Sequence, residues 1–365
     1  MSEKNNVTLN EARSKINEID KKMAKLFEER MQASYAIAEY KIKHALPIYD
    51  PSREQEVINK NTSHIEDDVV KEYYVNFLKG TMDISKKYQS RIMNGMKVAY
   101  SGVEGAFAHI AAMRMFPNAT YVNYSDFTSA YNAVVNGECD TCVLPLENSF
   151  AGDVGLVMDL MFSGSLFINQ VIEIEIVHNL LAKKGANIKD IKKVYSHQQA
   201  LAQCAKYIEE HKFETVEAVN TAMAAKFVAD GESLEVAAIA STDTAKLYDL
   251  DILESNINES RNNTTRFGAF SRVLNKDSKS SQLSNHFILV FTVKNEAGAL
   301  AKTLNIIGSH GFNMRSLRSR PMKELIWNYY FYVELEGDIT SNEGSDMIRA
   351  LGIFCDKLKV VGIYR

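Results

Sequence analysis

The sequence predicts a multidomain protein with an all-α helical N-terminal domain, a two-lobed α/β central domain and a ferredoxin-like α+β C-terminal domain. Its 365 residues exceed the roughly 100–200 residues of one domain. Apolar residues recur at helical spacing over 8–93. Short β-rich runs alternate with helical runs over 97–274, which predicts a parallel sheet. A βαββαβ order follows over 285–365, after a polar linker at 275–284.

The composition excludes several partner classes. Lys and Arg number 42 against 46 Asp and Glu, a net charge of -4, which argues against nucleic acid or an anionic membrane as a partner. No apolar run approaches the roughly 20 residues that span a bilayer, and the first residues lack the apolar core of a signal peptide. We therefore expect a cytoplasmic protein.

The cysteines predict neither a disulfide framework nor a metal site. Cys139 and Cys142 form a C-x-x-C pair, but a structural zinc site needs four ligands and no second pair stands nearby. We therefore interpret both as small buried residues of a strand.

The first predicted helix carries an apolar seam that is too long for its own domain. Spacings of three and four residues connect the apolar residues of this seam, with one step of seven between Leu26 and Ala33: Leu9, Ala12, Ile16, Ile19, Met23, Leu26, Ala33 and Ile37. Pro47 and Pro51 disfavour helix before them, so a second helix is expected from near Ser52 and a third over 66–93. Three helices in about 90 residues cannot cover this seam, and pairing with a second copy is the simplest solution.

Polar residues interrupt the apolar stripes of the first and third helices. Arg30 occupies a seam position, and an arginine there needs an anion because an unpaired buried charge is costly. Lys41 lies about three turns further on the same face, and the apolar steps of the third helix continue into Ser85 and Gln89. Taken alone, each could be a solvated surface residue; together they predict an anion site.

At these residues the sequence resembles the all-helical chorismate mutase family, over essentially all of 8–93. The resemblance implies rearrangement of chorismate to prephenate without covalent catalysis or proton transfer. Such an enzyme holds the dicarboxylate in a compact shape and stabilises charge on the ether oxygen.

The resemblance also implies the site residues of the mutase. Two catalytic residues would donate to the ether oxygen: Lys41 and Gln89. Three arginines would hold carboxylates, the first of them in the partner subunit's site: Arg13, Arg30 and Arg53. The ring hydroxyl would be bound by Asp50 and Glu54, and Ser85 would assist at a carboxylate. Because Gln89 must keep a neutral amide donor, mutase activity is expected to persist across neutral pH.

Four segments of the central region place polar residues at turns and strand ends: GVEGAF, PLENS, SHQQ and NNTTRF. Ligands of open α/β sheets bind at strand ends, and helix N-termini attract anions. Each segment alone could be an ordinary turn or edge strand. Together they predict a ligand cleft between two lobes.

In this order the four segments resemble prephenate dehydratase over 97–274, and Thr-Arg-Phe at 265–267 is the most specific motif. The resemblance implies conversion of prephenate to phenylpyruvate with loss of carbon dioxide and water, without metal or cofactor. Aromatisation drives the reaction, so the enzyme mainly needs an acid that helps hydroxide leave. By this analogy Thr265 is the catalytic candidate. The substrate-binding candidates are Glu147, Asn148, Ser149, His197, Gln199, Arg266 and Phe267.

Two residues depart from that family's pattern. Ala108 stands where many members carry Ser or Thr, and Gln198 replaces the usual Pro after Ser-His. Neither change touches Thr265.

The region 285–365 resembles the ACT domain, an amino-acid-sensing module. Gly298-Ala299-Leu300 matches its Gly-Ala-Leu element. Ser319-Arg320-Pro321 matches most of a Glu-Ser-Arg-Pro element, in which Arg318 replaces the Glu. The resemblance implies phenylalanine as an inhibitor bound at a dimer interface, with Asn313 facing it. The alternative is a purely structural dimerisation domain.

Together these resemblances predict a bifunctional enzyme of phenylalanine biosynthesis that forms a homodimer or homotetramer and needs no cofactor. Two alternatives stay open for the central region. It could prefer arogenate and release phenylalanine directly, or it could be a non-catalytic carboxylate sensor. Retention of Thr265 and Arg266 argues against the sensor.

Overall fold

The computed structural model describes residues 8–260, 262–274, 286–322 and 328–364. The predicted linker at 275–284 lies outside these residues. The chain forms two compact units, Met1–Met96 and Lys97–Arg365. None of the helices in the described ranges is both long enough and apolar enough to cross a membrane.

The first unit consists of helices within its described residues: α1 (Leu9–Lys43), α2 (Pro51–Thr62) and α3 (Asp68–Asn94). The Thr8 side chain accepts from the Glu11 N–H, and the Glu11 carboxylate accepts from the Thr8 N–H, so a capping box begins α1. Asp50 caps α2, with Pro51 in its first turn. The predicted helices are confirmed, with starts shifted by one or two residues.

The apolar seam of α1 is largely exposed in the single chain. In this helix of 35 residues, Ser34 and Ala38 are buried. Ile16 and Leu26 of the seam are 56% and 62% exposed. A helix of this length spans about 52 Å, and α3 packs along part of it.

The second unit begins with the first lobe of the central domain. Its strands are β1 (Lys97–Ser101), β2 (Thr120–Tyr124), β3 (Thr141–Asn148), β4 (Gly152–Asp153) and β5 (Phe167–Glu175). Its helices are α4 (Phe107–Met115), α5 (Phe127–Val135) and α6 (Gly155–Ser163). Cys139 and Cys142 are buried in the core of this lobe.

The chain then crosses into a second lobe. Its strands are β6 (Asn179–Ala182), β7 (Lys193–Ser196), β8 (Glu214–Glu217), β9 (Val236–Ala240) and β10 (Asp251–Glu254), in the sheet order β10-β6-β9-β7-β8. Its helices are α7 (Gln198–Gln203), α8 (Ala205–His211), α9 (Thr221–Asp230) and α10 (Thr242–Leu247), with a 3₁₀ turn at Ile188–Asp190.

The chain returns to the first lobe through β11 (Thr264–Ser271). This strand lies antiparallel between β3 and β5, whereas β1 runs parallel to β2 and β3. The parallel sheet expected from the β/α alternation is therefore a mixed sheet. The physical reason is the route of the chain, because β11 enters from the second lobe and not through a helical crossover.

The C-terminal region has the predicted βαββαβ order: β12 (His286–Val293), α11 (Ala299–Ser309), β13 (Asn313–Pro321), β14 (Tyr329–Glu336), α12 (Asn342–Phe354) and β15 (Cys355–Tyr364). Its strands follow the order β13-β14-β12-β15. The ferredoxin-like fold is confirmed.

The C-terminal sheet continues into the sheet of the first lobe. Gly362 of β15 pairs with Ile168 of β5, which joins the described strands of both into one ten-stranded sheet. A Cβ at residue 362 would lie 2.6 Å from the Ile168 carbonyl oxygen, so the close approach requires glycine. Side chains from both sheets, including Ile168 and Val361, share one apolar core.

Candidate active sites

The three helices of the first unit surround a cavity of about 420 Å³. Seven of the eight residues predicted for the mutase line it: Arg30, Lys41, Asp50, Arg53, Glu54, Ser85 and Gln89. Lys86 also lines the cavity and forms an ion pair of 2.7 Å with Glu54. Sequence reasoning missed Lys86 because a lysine on a helix is usually a solvated surface residue.

Arg30 lies in this cavity with its charge available to a ligand. Its Nη1 donates to the Ser85 hydroxyl and to the Thr81 carbonyl oxygen at 3.3 Å. Burial lowers the pKa of Arg30, but guanidinium groups stay charged in proteins. Because these two partners are neutral, the cation can bind a carboxylate.

Gln89 and Lys41 supply polar groups to the same cavity. Gln89 is buried, and within the described residues its Oε1 atom has no hydrogen-bond partner. An unpaired buried polar atom costs about 1–3 kcal/mol, so this amide oxygen is suited to accept from a ligand, and the NH₂ group of the same amide is the donor. The Lys41 ammonium donates to the Ile48 carbonyl oxygen at 2.6 Å and keeps further protons to donate.

Asp50 and Arg53 hold the start of α2 at the edge of the cavity. Asp50 Oδ1 accepts from the Ser52 hydroxyl at 2.6 Å and from the Arg53 N–H at 3.1 Å. These hydrogen bonds lower the pKa of Asp50, so its carboxylate is ionised. The Arg53 guanidinium forms an exposed ion pair with Glu56 at 2.7 Å.

Arg13 lies outside this cavity, exposed on α1. It precedes Arg30 by seventeen residues on the same helix, which corresponds to about 25 Å. Arg13 therefore cannot reach the cavity of its own chain, and its role in a partner subunit's site stays a prediction.

A cleft of about 500 Å³ lies between the two lobes of the central domain. It is lined by Ala106, Phe107, Pro145, Asn148, Ala151, Gly152, Asp153, Val154, Ile176, His178, His197, Gln199, Ala200, Gln203, Val219, Asn220, Thr221, Asn263 and Thr265. Four predicted residues are among them: Asn148, His197, Gln199 and Thr265. The predicted cleft therefore collects residues from both lobes.

The other predicted residues lie elsewhere. Side chains alternate between the two faces of a strand, so Glu147 and Arg266 face away from the cleft that Asn148 and Thr265 line. Phe267 is buried in the core. Ser149 connects two loops, since its hydroxyl donates to the Asn262 carbonyl oxygen at 2.8 Å and accepts from the Thr264 N–H at 2.9 Å.

The hydrogen bonds of Asn148 orient the hydroxyl of Thr265. Asn148 Oδ1 accepts from the backbone N–H groups of Phe150 and Ala151 at 3.0 and 2.8 Å, so Nδ2 must point the other way. Nδ2 donates to Thr265 Oγ1 at 2.8 Å. Thr265 accepts this hydrogen bond and donates none to the described residues, so its hydroxyl proton can be donated into the cleft.

A chain of polar side chains behind Asn148 was not predicted. Asn148 Nδ2 also donates to Asn263 Oδ1 at 2.8 Å, and Asn263 Nδ2 donates to Gln203 Oε1 at 3.0 Å. Gln203 Oε1 lies 2.8 Å from His178 Nε2, and an amide oxygen only accepts, so His178 carries its proton on Nε2. Asn263 stands inside the NNTTRF segment and Gln203 follows the SHQQ segment by four residues, and this proximity is the signal that the sequence offers.

We predict that His178 makes stability depend on pH. Burial lowers the pKa of His178 below its ordinary 6.5, so on acidification the unfolded chain takes up a proton before the folded chain does. The free energy of unfolding should therefore fall as the pH drops below about 6.5. Urea unfolding followed by circular dichroism should show a smaller decrease for His178→Gln. An equal decrease in both proteins would contradict this assignment.

Helix N-termini converge on the cleft. Ala106 at the start of α4 and Thr221 at the start of α9 both line it. No side chain caps α4, so its first N–H groups remain available to an anion. In the described part of the chain, no lysine or arginine lines this cleft. The hydrogen bonds to an anionic ligand would therefore come from N–H groups and from amide and hydroxyl side chains.

Asp153 is the one acidic residue among the described residues that line the cleft. Its carboxylate pairs with Arg318 of β13, with 2.9 Å between Oδ2 and Nε. Arg318 is the residue that departs from the Glu-Ser-Arg-Pro pattern. The neighbouring predicted residue Arg320 also faces the first lobe, where its Nε lies 3.2 Å from Asp159 Oδ1.

The remaining predicted effector residues lie on the C-terminal domain. Gly298 has φ +82° and is the N-cap of α11, which begins with Ala299 and Leu300. Asn313 begins β13, and its Nδ2 donates to Glu336 Oε2 at 2.8 Å. Ser319 and Pro321 lie near the end of the same strand.

Comparisons with known proteins match all three regions. The chorismate mutase type II model matches residues 12–90, the prephenate dehydratase model 98–274 and the ACT domain model 287–343. A bifunctional chorismate mutase/prephenate dehydratase of Aquifex aeolicus (strain VF5) is 32% identical, over 98% of this chain and 97% of the relative.

Two further relatives match about three quarters of the chain. An arogenate dehydratase/prephenate dehydratase 2, chloroplastic, of Arabidopsis thaliana is 31% identical, over 77% of this chain and 76% of the relative. A crystal structure of prephenate dehydratase from Arthrobacter aurescens in complex with L-Phe has a TM-score of 0.67 and 26% identity, over 74% of this chain and 89% of that one.

The fold and the two sites define a multidomain enzyme in which a helical mutase precedes a two-lobed dehydratase and an ACT domain. The match over nearly the whole length of the Aquifex relative then identifies the family. The chain belongs to the bifunctional chorismate mutase/prephenate dehydratases.

Proposed function

We propose that this chain rearranges chorismate to prephenate in its helical unit and converts prephenate to phenylpyruvate in the cleft between its lobes. The observation that carries the proposal is the pairing of two sites in one chain. One cavity collects seven predicted mutase residues, and one cleft contains Thr265 with its hydroxyl proton free to be donated.

In the mutase, the cations of the cavity would hold the two carboxylates of chorismate. Arg30 and Arg53 would bind them, which keeps the substrate in the compact conformer that rearranges. Lys41 and Gln89 would donate to the ether oxygen, where negative charge develops as the C–O bond breaks. No proton is transferred, so the enzyme acts through position and charge alone.

In the dehydratase, Thr265 would protonate the departing ring hydroxyl, which leaves as water. The electron pair of the breaking bond between the ring and its carboxylate enters the ring as carbon dioxide departs, and the ring becomes aromatic. The Asn148 amide would stabilise the oxygen of Thr265 as the proton leaves. Water then returns a proton to Thr265. His197 and Gln199 would contact the substrate from the second lobe.

The environment of Asp153 supports prephenate over arogenate as the substrate. Arogenate carries an ammonium group where prephenate carries a ketone, and an ammonium group is best bound by a free carboxylate. Among the described lining residues, Asp153 supplies the carboxylate, and Arg318 already neutralises it. The described lining of the cleft therefore offers no unpaired carboxylate to an ammonium group.

The test is to supply purified full-length protein with chorismate and to measure chorismate loss and phenylpyruvate formation, with and without phenylalanine. Phenylpyruvate that decreases on addition of phenylalanine is the expected result. Prephenate that accumulates would contradict the dehydratase proposal. Parallel assays with prephenate and arogenate decide the substrate, and ligand binding without turnover would instead indicate a sensor.

We also propose that the chain forms a homodimer or homotetramer through α1. The exposed seam residues Ile16 and Leu26 support this, because a second copy would cover them. The same pairing would bring Arg13 into the site of the partner subunit.

Mixing two inactive variants tests this shared site. We expect Arg13→Ala and Arg30→Ala each to lack mutase activity. An equal, refolded mixture of the two should regain about a quarter of the wild-type activity, because about half of the symmetric dimers are mixed and each mixed dimer contains one intact site of two. A mixture as inactive as its components would place Arg13 outside the partner's site. Dehydratase activity of the mixture is the control for refolding.

A further inference from the structure

Glu334 is a buried carboxylate in β14 of the C-terminal domain. Its side chain is 1% exposed, and both oxygens are engaged from β11 of the central domain. Arg266 Nη2 donates to Oε1 and Nη1 donates to Oε2, both at 2.9 Å, and the Tyr364 hydroxyl also donates to Oε1. Burial raises the pKa of Glu334, but these donors outweigh it, so the carboxylate is charged.

The Arg266 guanidinium connects Glu334 to the strands that carry the dehydratase site. Arg266 Nη1 also donates to Glu147 Oε1 at 2.7 Å. In the sheet, Arg266 pairs with Glu147 and Thr265 pairs with Asn148. The ion pairs on one face of β3 and β11 therefore lie next to the Asn148–Thr265 hydrogen bond on the other face.

The sheet is irregular at this level. The register between β11 and β3 shifts between Arg266 and Phe267, and such a bulge bends and twists a strand. On the β5 side β11 stays in register from Thr264 to Ala269, so it is only the pairing with β3, the strand that carries Asn148, that constrains Thr265 less than a regular ladder would. The side-chain contacts of Arg266 add a constraint between β11 and β3 through Glu147, and the most buried carboxylate that holds Arg266 is Glu334 of the C-terminal domain.

We propose that Glu334 is a positioning residue of the dehydratase, which holds Arg266 and thereby keeps Thr265 and Asn148 in their reactive geometry. Neither Glu334 nor Arg266 lines the cleft, so Glu334 acts without touching the substrate. The proposal rests on the proposed role of Thr265. It makes the C-terminal domain a structural part of the catalytic site.

Glu334→Gln in the full-length protein tests the proposal, since it keeps the shape of the side chain and removes its charge. We expect kcat for prephenate to fall about ten- to a hundredfold, the range for a misplaced catalytic group, with KM nearly unchanged. Chorismate mutase activity of the same protein should persist. Asp346→Asn, which breaks the exposed Asp346–Arg349 pair of the same domain, should leave both activities unchanged.

A double-mutant cycle with Arg266→Gln shows whether the two residues act as one unit. If they do, the double variant is no slower than Arg266→Gln alone. The proposal would be overturned if the effects of the two substitutions on kcat multiply in the double variant. A normal kcat in Glu334→Gln, with or without a raised KM, would also overturn it. A raised KM would mean that Arg266 binds the substrate.

A third variant covers the case in which Glu334→Gln does not fold. Glu334→Asp keeps the charge and withdraws it by one methylene group, so a folded protein with lowered kcat is expected. A normal kcat in that variant would overturn the proposal. Thr265→Ala distinguishes failure of the proposed dehydratase site from failure of the positioning role. Dehydratase activity in Thr265→Ala would refute the proposed site. An inactive Thr265→Ala together with normal activity in the Glu334 variants would refute the positioning role alone.

Discussion

Thr265→Val should lower dehydration of prephenate by about 10²–10⁴-fold, the range for removal of a positioned general acid. Valine keeps the size of threonine and lacks the hydroxyl. Thr265 is 8% exposed, and Asn148 Nδ2 would lose the acceptor that now lies 2.8 Å away. The departing hydroxide would then have to leave without a proton donor.

Three comparisons make this result specific. Thr265→Ser keeps the hydroxyl and should retain most of the activity. Thr264→Val changes the neighbouring threonine, which does not line the cleft, and should leave kcat near that of the wild type. Chorismate mutase activity should persist in all variants because its cavity lies in the other compact unit. Normal dehydratase turnover in Thr265→Val would remove Thr265 from the mechanism.

Arg30→Ala should lower chorismate mutase kcat/KM by about 10²–10³-fold, the range for loss of one electrostatic contact in an active site. The residue interrupts the apolar face of α1 and points its charge into the cavity, with the Ser85 hydroxyl and a carbonyl oxygen as its partners. Arg30→Lys should recover little, because an ammonium group cannot bind a carboxylate through two parallel hydrogen bonds.

The matched control is Lys25→Ala, which removes an exposed cation from the same helix. Mutase activity of that variant should equal that of the wild type. Dehydratase activity of Arg30→Ala reports whether the rest of the chain is folded. Mutase kinetics that survive in Arg30→Ala would exclude the proposed carboxylate contact.

The mutase cavity could be predicted closely because helical periodicity is a local property. Arg30 and Lys41 are separated by about three turns, which places both on one face whatever packs against it. Gln89 interrupts a stripe on α3 by the same rule. Arg13 lies on the same helix, but its site depends on a second chain.

The dehydratase cleft was predicted less completely. The segments at 145–149 and 262–267 contribute to the cleft as predicted, but the prediction from sequence assigns adjacent residues of each segment to one site. Alternation along a strand separates them, so Asn148 and Thr265 reach the cleft while Glu147 and Arg266 point to the C-terminal domain. The alternation of side chains can be applied to the sequence alone, but only the structure shows that Glu334 of the C-terminal domain binds Arg266 on the other face of the sheet.

Local patterns were sufficient for the order of the domains and for locating the motif that contains Thr265, and the chemistry of both reactions was implied by the resemblance to known families. They could not reveal that β15 continues the sheet of the first lobe, or that Glu334 holds Arg266. Periodicity and motifs report on neighbours along the chain. The pairing of Gly362 with Ile168 joins residues far apart in sequence. It depends on how the folded C-terminal domain packs against the central domain.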